Sequence, residues 1–195
     1  MSVAAAKQQR EKQPGWSDER LVRECVGGNP QAWSALIEKY KNLIFSIPIK
    51  LGMHQEAPDI FQSVCLDLLT DLPKLREPRA LPKWLMQTTY HRCLRHKQNP
   101  HNQVSLDEHA GEFVDENVDA PEDLIAQLER EQALRDVILG LPQRCESMIR
   151  MLFFETPPRP YNTIAAELGL AIGSIGFIRG RCLAKLRKAL EQKGF

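Results

Sequence analysis

The sequence predicts an all-α protein of two small helical domains joined by a flexible acidic linker. Three observations lead there. Strand-like alternation of apolar and polar residues is absent throughout. Helix-start signals recur along the chain, at Ser17-Asp18-Glu19, Asn29-Pro30, Pro58-Asp59 and Pro121-Glu122-Asp123. The charges are segregated: the formal net charge is only +1, yet no Lys or Arg occurs between Lys97 and Arg130.

Taken in order, residues 1–16 are polar, contain Pro14-Gly15 and are expected to be disordered. The first domain spans 17–98. Its first helix carries "RLVREC" and its second "QAWSALIEKYKNLIFSI", which Pro48 should end or kink. A third helix, "DIFQSVCLDLLTDL", is closed by Pro73. Its core stripe is Phe61, Val64, Cys65, Leu68 and Leu72, leaving Asp59, Gln62, Ser63, Leu66 and Thr70 outward. Leu66 among those polar residues reads as a protein-docking surface or as one stray leucine on a solvated face. A basic loop, "KLREPRALP", precedes the fourth helix, "KWLMQTTYHRCLRHK".

On that fourth helix Trp84, Thr88, His91 and Arg95 share one face with Arg92 beside them, while Met86, Tyr90 and Cys93 lie opposite. Aromatic and cationic groups on one face suit unpaired nucleic acid, whose bases stack and whose phosphates require countercharge. Lys74, Arg76, Arg79 and Lys83 extend the positive field. Trp84 reads equally well as a core anchor.

The linker, 99–121, and the residues just beyond it gather Asp107, Glu108, Glu112, Asp115, Glu116, Asp119, Glu122 and Asp123. It has little to bury. The second domain, 122–195, opens with Glu122 and Asp123 at a positive dipole end. It continues through "LPQRCESMIRMLFF", the break "TPPRP", the short helix "YNTIAAELG" with Gly169 as a tight turn, and the basic helix "GSIGFIRGRCLAKLRKAL".

That last helix carries Gly173, Gly176 and Gly180, each costing about 1 kcal/mol against alanine in a helix interior. Its core stripe is Ile175, Ile178, Cys182, Leu186 and Ala189. Gly176, Gly180 and Ala184 fall outward with Phe177, Arg181, Arg187 and Lys188, and Gly173 and Ser174 stand at the start. Outward glycines bring nothing to a solvated helix, but they let a helix approach a bulky partner closely. The basic edge makes that partner a polyanion, and a short helix, a glycine turn and a basic helix form a helix-turn-helix, whose second helix enters the DNA major groove. Arg181 can reach a guanine edge or a phosphate, and Phe177 a thymine methyl. Lys185, Arg187 and Lys188 suit phosphates. A solvated basic helix with casual glycines is the competing reading.

Other chemistry is poorly supported. No Walker A loop, GxGxxG, GxSxG or HExxH occurs, so no enzyme is indicated and no cofactor is expected. The cluster His91, Cys93, His96 and His101 matches no common zinc spacing, and no metal is assigned. Cys25, Cys65, Cys93, Cys145 and Cys182 lack CxxC spacing, and their odd count fits reduced thiols better than a disulfide framework. No apolar run approaches a membrane span and no secretion signal is visible, so a cytoplasmic location is expected.

From Asp18 to Leu190 the chain resembles the extracytoplasmic-function (ECF) type of bacterial RNA polymerase sigma factor, within the sigma-70 family. "DERLVRECVGGNPQAWSALIEKY" is similar to the family's opening helices and "APDIFQSVCLDLL" to its acidic, glutamine-containing helix. "LPKLREPRALPKWLMQTTYHRCLRH" resembles the region that opens and reads the minus-ten element. "LPQRCESMIRMLFF" and the stretch from Tyr161 to Leu190 resemble the domain that reads the minus-thirty-five element.

The resemblance implies a sigma region 2 bundle and a region 4 helix-turn-helix, with core RNA polymerase (β′ clamp helices and β flap) and promoter DNA as partners. An anti-sigma factor is a further possible partner, and the protein would be monomeric within the holoenzyme. It assigns the Asp59, Gln62, Ser63, Leu66 and Thr70 face to the polymerase, with Asp59 and Gln62 touching the clamp helices; Ser63 stands where the family usually has glutamate. Lys74 to Arg79 would form a base pocket, with Trp84, Arg92 and Arg95 near the DNA. Gly176 and Gly180 replace bulkier polar residues of many relatives, so the preferred DNA sequence does not transfer. A stand-alone helix-turn-helix regulator is the first alternative, and an enzyme using the His91 to His101 cluster the second.

Overall fold

The structure is a computed structural model that describes residues 16–98 and 119–194. The expected tail before Trp16, linker residues 99–118 and His101 lie outside them. The described residues are helical with no strand, in eight α-helices: α1 Asp18–Val26, α2 Pro30–Lys50, α3 Ala57–Asp71, α4 Leu81–Gln98, α5 Glu122–Gly140, α6 Gln143–Phe153, α7 Tyr161–Leu168 and α8 Ile175–Glu191. No single helix among them is long and apolar enough to cross a membrane.

The chain clusters into two units that divide between Leu128 and Glu129. That point lies inside α5 rather than before it. The reason is apolar cover: Leu128 is buried in the core of the first unit, with Leu124 and Ile125 packed against it. Ala120 is also buried there, its N–H donating to the Gln87 side-chain oxygen at 2.9 Å.

In the first unit the sequence caps act as expected. The Ser17 hydroxyl accepts from Arg20 N–H, and the Asn29 side-chain oxygen accepts from Gln31 N–H at 3.0 Å. Asp18 then ties α1 to α2, accepting from Tyr40 Oη at 2.6 Å and Lys39 Nζ at 2.8 Å. Helix α2 carries the centre of the core, where Leu36, Tyr40, Leu43, Ile44 and Ile47 are fully buried. It ends two residues beyond Pro48, with Met53 N–H donating to the Pro48 carbonyl at 2.8 Å and Gly52 taking φ +78°. Trp16, assigned from sequence to the tail, is half-buried against this core, with the Arg20 guanidinium 4.2 Å from its ring centroid.

The stripe of α3 is rotated slightly from the expected one. Ile60, Val64 and Leu68 are buried, whereas Phe61 and Cys65 are half-buried. Phe61 stacks on Phe45 with ring centroids 4.6 Å apart, which draws it to the edge of the core. Two 3-10 turns, Leu72–Lys74 and Pro78–Ala80, shape the basic loop, and α4 begins at Leu81, two residues before the expected start.

The second unit builds two small apolar clusters. Ile138, Leu141, Cys145, Ile149 and Cys182 form one; Met148, Met151, Ile164, Ala165 and Ile175 form the other. Helix α6 contributes to both, and α7 and α8 pack against it.

Candidate nucleic-acid interface

Helix α7 stops at Gly169, whose φ of +63° is a conformation that favours glycine. Its N–H bonds back to α7, and the next residue's N–H, on Leu170, donates to the Ala165 carbonyl at 2.8 Å, turning the chain sharply. A 3-10 turn, Ile172–Ser174, then leads into α8. Gly173 therefore lies in the turn, Gly176 is the second residue of α8, and Gly180 alone of the three is interior to the α-helix. A Cβ built at Gly173, Gly176 or Gly180 would meet no atom within 4 Å. Internal packing therefore gives no reason for these glycines.

The sides of α8 separate as the sequence predicts. Ile175 and Cys182 are buried, with Ile178, Leu186 and Ala189 half-buried. Gly176, Phe177, Gly180, Arg181, Ala184, Lys185, Arg187 and Lys188 are exposed, Phe177 to 68%. The Arg181 guanidinium lies over the Phe177 ring at 5.6 Å from the centroid. Arg187 pairs with Glu191 at 2.9 Å. Ser174 is half-buried, its hydroxyl donating to the Ala171 carbonyl at 2.7 Å, which leaves only its lone pairs for a ligand. Arg179, which the sequence reading did not single out, donates to Tyr161 Oη at 2.6 Å and anchors the start of α7 to α8. Nothing in the i,i+4 pattern of α8 alone signals that cross-helix contact.

In the first unit Lys74, Arg76, Arg79 and Lys83 are exposed, while Trp84, Thr88, His91 and Arg92 are half-buried and Arg95 is exposed. Several of these cations already have acidic neighbours. Lys74 pairs with Asp71 at 2.7 Å and Arg79 with Glu19 at 2.8 Å. Arg92 grips Asp67 of α3 through both its Nε, at 2.6 Å, and a terminal nitrogen. Trp84 packs against the core, in line with the anchor reading, yet keeps part of its surface outside.

The outward side of α3 presents Asp59, Gln62, Leu66, Leu69 and Thr70, with Leu66 61% and Leu69 54% exposed. Leu69 was not foreseen; the rotation of the stripe brings it out. Ser63 is half-buried, and the Ser63 and Thr70 hydroxyls donate back to the carbonyls of Asp59 and Leu66. The surface is apolar at its centre and acidic at one end.

No protein-family model and no curated protein matches this chain.

The cysteines depart from expectation. Cys145 in the first turn of α6 and Cys182 in α8 form a disulfide, their Cα atoms 5.2 Å apart across 37 residues. Only Cys25, Cys65 and Cys93 are free thiols. The odd count misled because pairing depends on which helix faces meet, and α6 meets α8 at these two positions. Closing that loop removes about 3–4 kcal/mol of unfolded-chain entropy, comparable with the roughly 3–5 kcal/mol that a single core supplies to a unit this small. Among the described residues no three His, Cys, Asp or Glu side chains gather as a metal site.

Proposed function

We propose that the chain is an RNA polymerase sigma factor of the ECF type, which binds core polymerase, brings it to a promoter and helps melt the start region. The polymerase performs the chemistry. One observation carries the reading: α8 follows a glycine turn and presents open glycines beside Phe177, Arg181, Lys185 and Lys188, a surface shaped for close approach to a polyanion.

Each unit has its own part. Helix α8 and its turn contact the minus-thirty-five duplex, with Arg181 and Phe177 at base edges and Lys185, Arg187 and Lys188 on phosphates. The basic loop and α4 serve the minus-ten element, where Arg76, Lys83 and Arg95 are exposed. The Leu66 and Leu69 side of α3, with Asp59 and Gln62, docks on the polymerase clamp.

Run-off transcription with purified core polymerase and a genomic fragment library tests this. Discrete starts that require the protein support it. No starts, together with no polymerase capture in a pull-down, would replace it with a stand-alone duplex-binding regulator.

A further inference from the structure

The five cysteines fall into two chemical groups. Cys25, Cys65 and Cys93 are free thiols of the first unit, and burial pushes Cys25 up to about 11 and Cys93 to about 12 and raises Cys65 as well. Cys145 and Cys182 are the bonded pair, and both belong to the second unit. Cys182 is 1% exposed at the middle of α8 and Cys145 is 7% exposed at the N-terminal turn of α6. Cys145 is thus the less deeply buried of the two, and it stands at a helix N-terminal turn, the end that favours an attacking thiolate.

The surroundings make the bond consequential. The cluster holding both sulfurs has only Ile138, Leu141 and Ile149 as its other buried members. The first unit instead centres on a large buried core from α1 to α4, and its described cysteines are unbridged. Opening the bridge therefore acts on one unit and leaves the other standing.

We propose that Cys145–Cys182 is a reversible thiol–disulfide site that sets whether the helix-turn-helix unit is stably folded, with low-molecular-weight thiols and disulfides as its co-reactants. In the oxidising direction the Cys145 thiolate attacks one sulfur of glutathione disulfide, breaking its S–S bond and releasing one glutathione thiolate. The Cys182 thiolate then attacks the Cys145 sulfur and expels the second glutathione. Two protein thiols and one glutathione disulfide become one protein disulfide and two glutathiones, with two electrons and two protons transferred. Reduction by a dithiol is the reverse sequence and begins at Cys145. This goes beyond the promoter reading and does not require it.

The test uses the full chain without DNA. Thiol titration in denaturant is expected to count three thiols in the oxidised protein and five after dithiothreitol. Hydrogen exchange followed against temperature is expected to show α6 to α8 melting lower by on the order of 15 °C on reduction, with α2 to α4 unchanged. Glutathione disulfide should restore the higher melting. The double variant Cys145→Ala/Cys182→Ala should be insensitive to dithiothreitol whether or not its second unit is folded. Five thiols in the oxidised protein, a bridge that dithiothreitol opens only in denaturant, unchanged melting on reduction, or a double variant that still responds would each overturn the proposal.

Discussion

Arg181 lies over the ring of Phe177 on the outward side of α8, its guanidinium carbon 5.6 Å from the centroid. Four residues apart, the two stand one above the other along the helix, so the ring limits where the guanidinium swings. An arginine held this way loses less freedom on binding a base edge. Under the proposed function, Arg181→Ala is expected to weaken duplex recognition by about 1–3 kcal/mol, roughly 5-fold to 150-fold, without affecting polymerase binding. Phe177→Ala should cost part of the same energy, and the double variant less than the sum of the two. Fluorescence anisotropy of the holoenzyme on a promoter duplex measures all three; equal loss of polymerase and promoter binding by Arg181→Ala contradicts the assignment.

Gly180 supplies a test in which stability and binding move in opposite directions. A Cβ there meets open space and the backbone is helical, so Gly180→Ala should stabilise the second unit by up to about 1 kcal/mol. Gly180→Leu should also fold, yet its side chain would fill the approach to the duplex and reduce promoter binding at least 10-fold. Melting curves and anisotropy on the same samples decide it. Unchanged binding by the leucine variant removes the reason given for the glycines.

Helical periodicity made the core and outward sides of α8 legible because both are set by the spacing of Ile175, Cys182, Gly176 and Gly180 along one helix. The same reasoning was one residue out on α3, where Ile60 replaced Phe61 as a core member because Phe61 is drawn onto Phe45. Contacts between helices were not legible. The Cys145–Cys182 bond, the Arg179–Tyr161 hydrogen bond and the Arg92–Asp67 pair each join residues at least 18 positions apart. Such pairs depend on how helices cross, which local spacing does not encode.

Arg92 illustrates the consequence. The family resemblance places it near DNA; in the structure it and Asp67 are both half-buried and their pair bridges α4 to α3. Arg92→Ala and Asp67→Ala should each destabilise the first unit, by about 1.5–3 kcal/mol for a lost charged hydrogen bond. Urea denaturation gives the value for each, and a double-mutant cycle gives the coupling. An Arg92→Ala protein of unchanged stability and weakened promoter melting would instead return Arg92 to the DNA surface.

Arg79 pairs differently, because it and Glu19 are both exposed. The Arg79 guanidinium donates to the Glu19 carboxylate at 2.8 Å, and this hydrogen bond, with smaller help from the Glu19 backbone N–H and the Ser17 hydroxyl, holds the carboxyl down at about 2 against an ordinary value of 4.5. A depressed carboxyl favours the folded state above its ordinary range, and that contribution is lost as pH falls through about 2. Solvent and salt screen the pair, so the effect on stability is small and the titration is the better readout. By carboxyl-carbon NMR Glu19 is expected to stay ionised from pH 5 to about 3, while in Arg79→Ala its midpoint returns towards 4.5. A wild-type midpoint already near 4.5 would mean that Arg79 does not hold Glu19 in solution. Under the proposed function, the loop from Lys74 to Arg79 would then meet nucleic acid without first breaking this contact to α1.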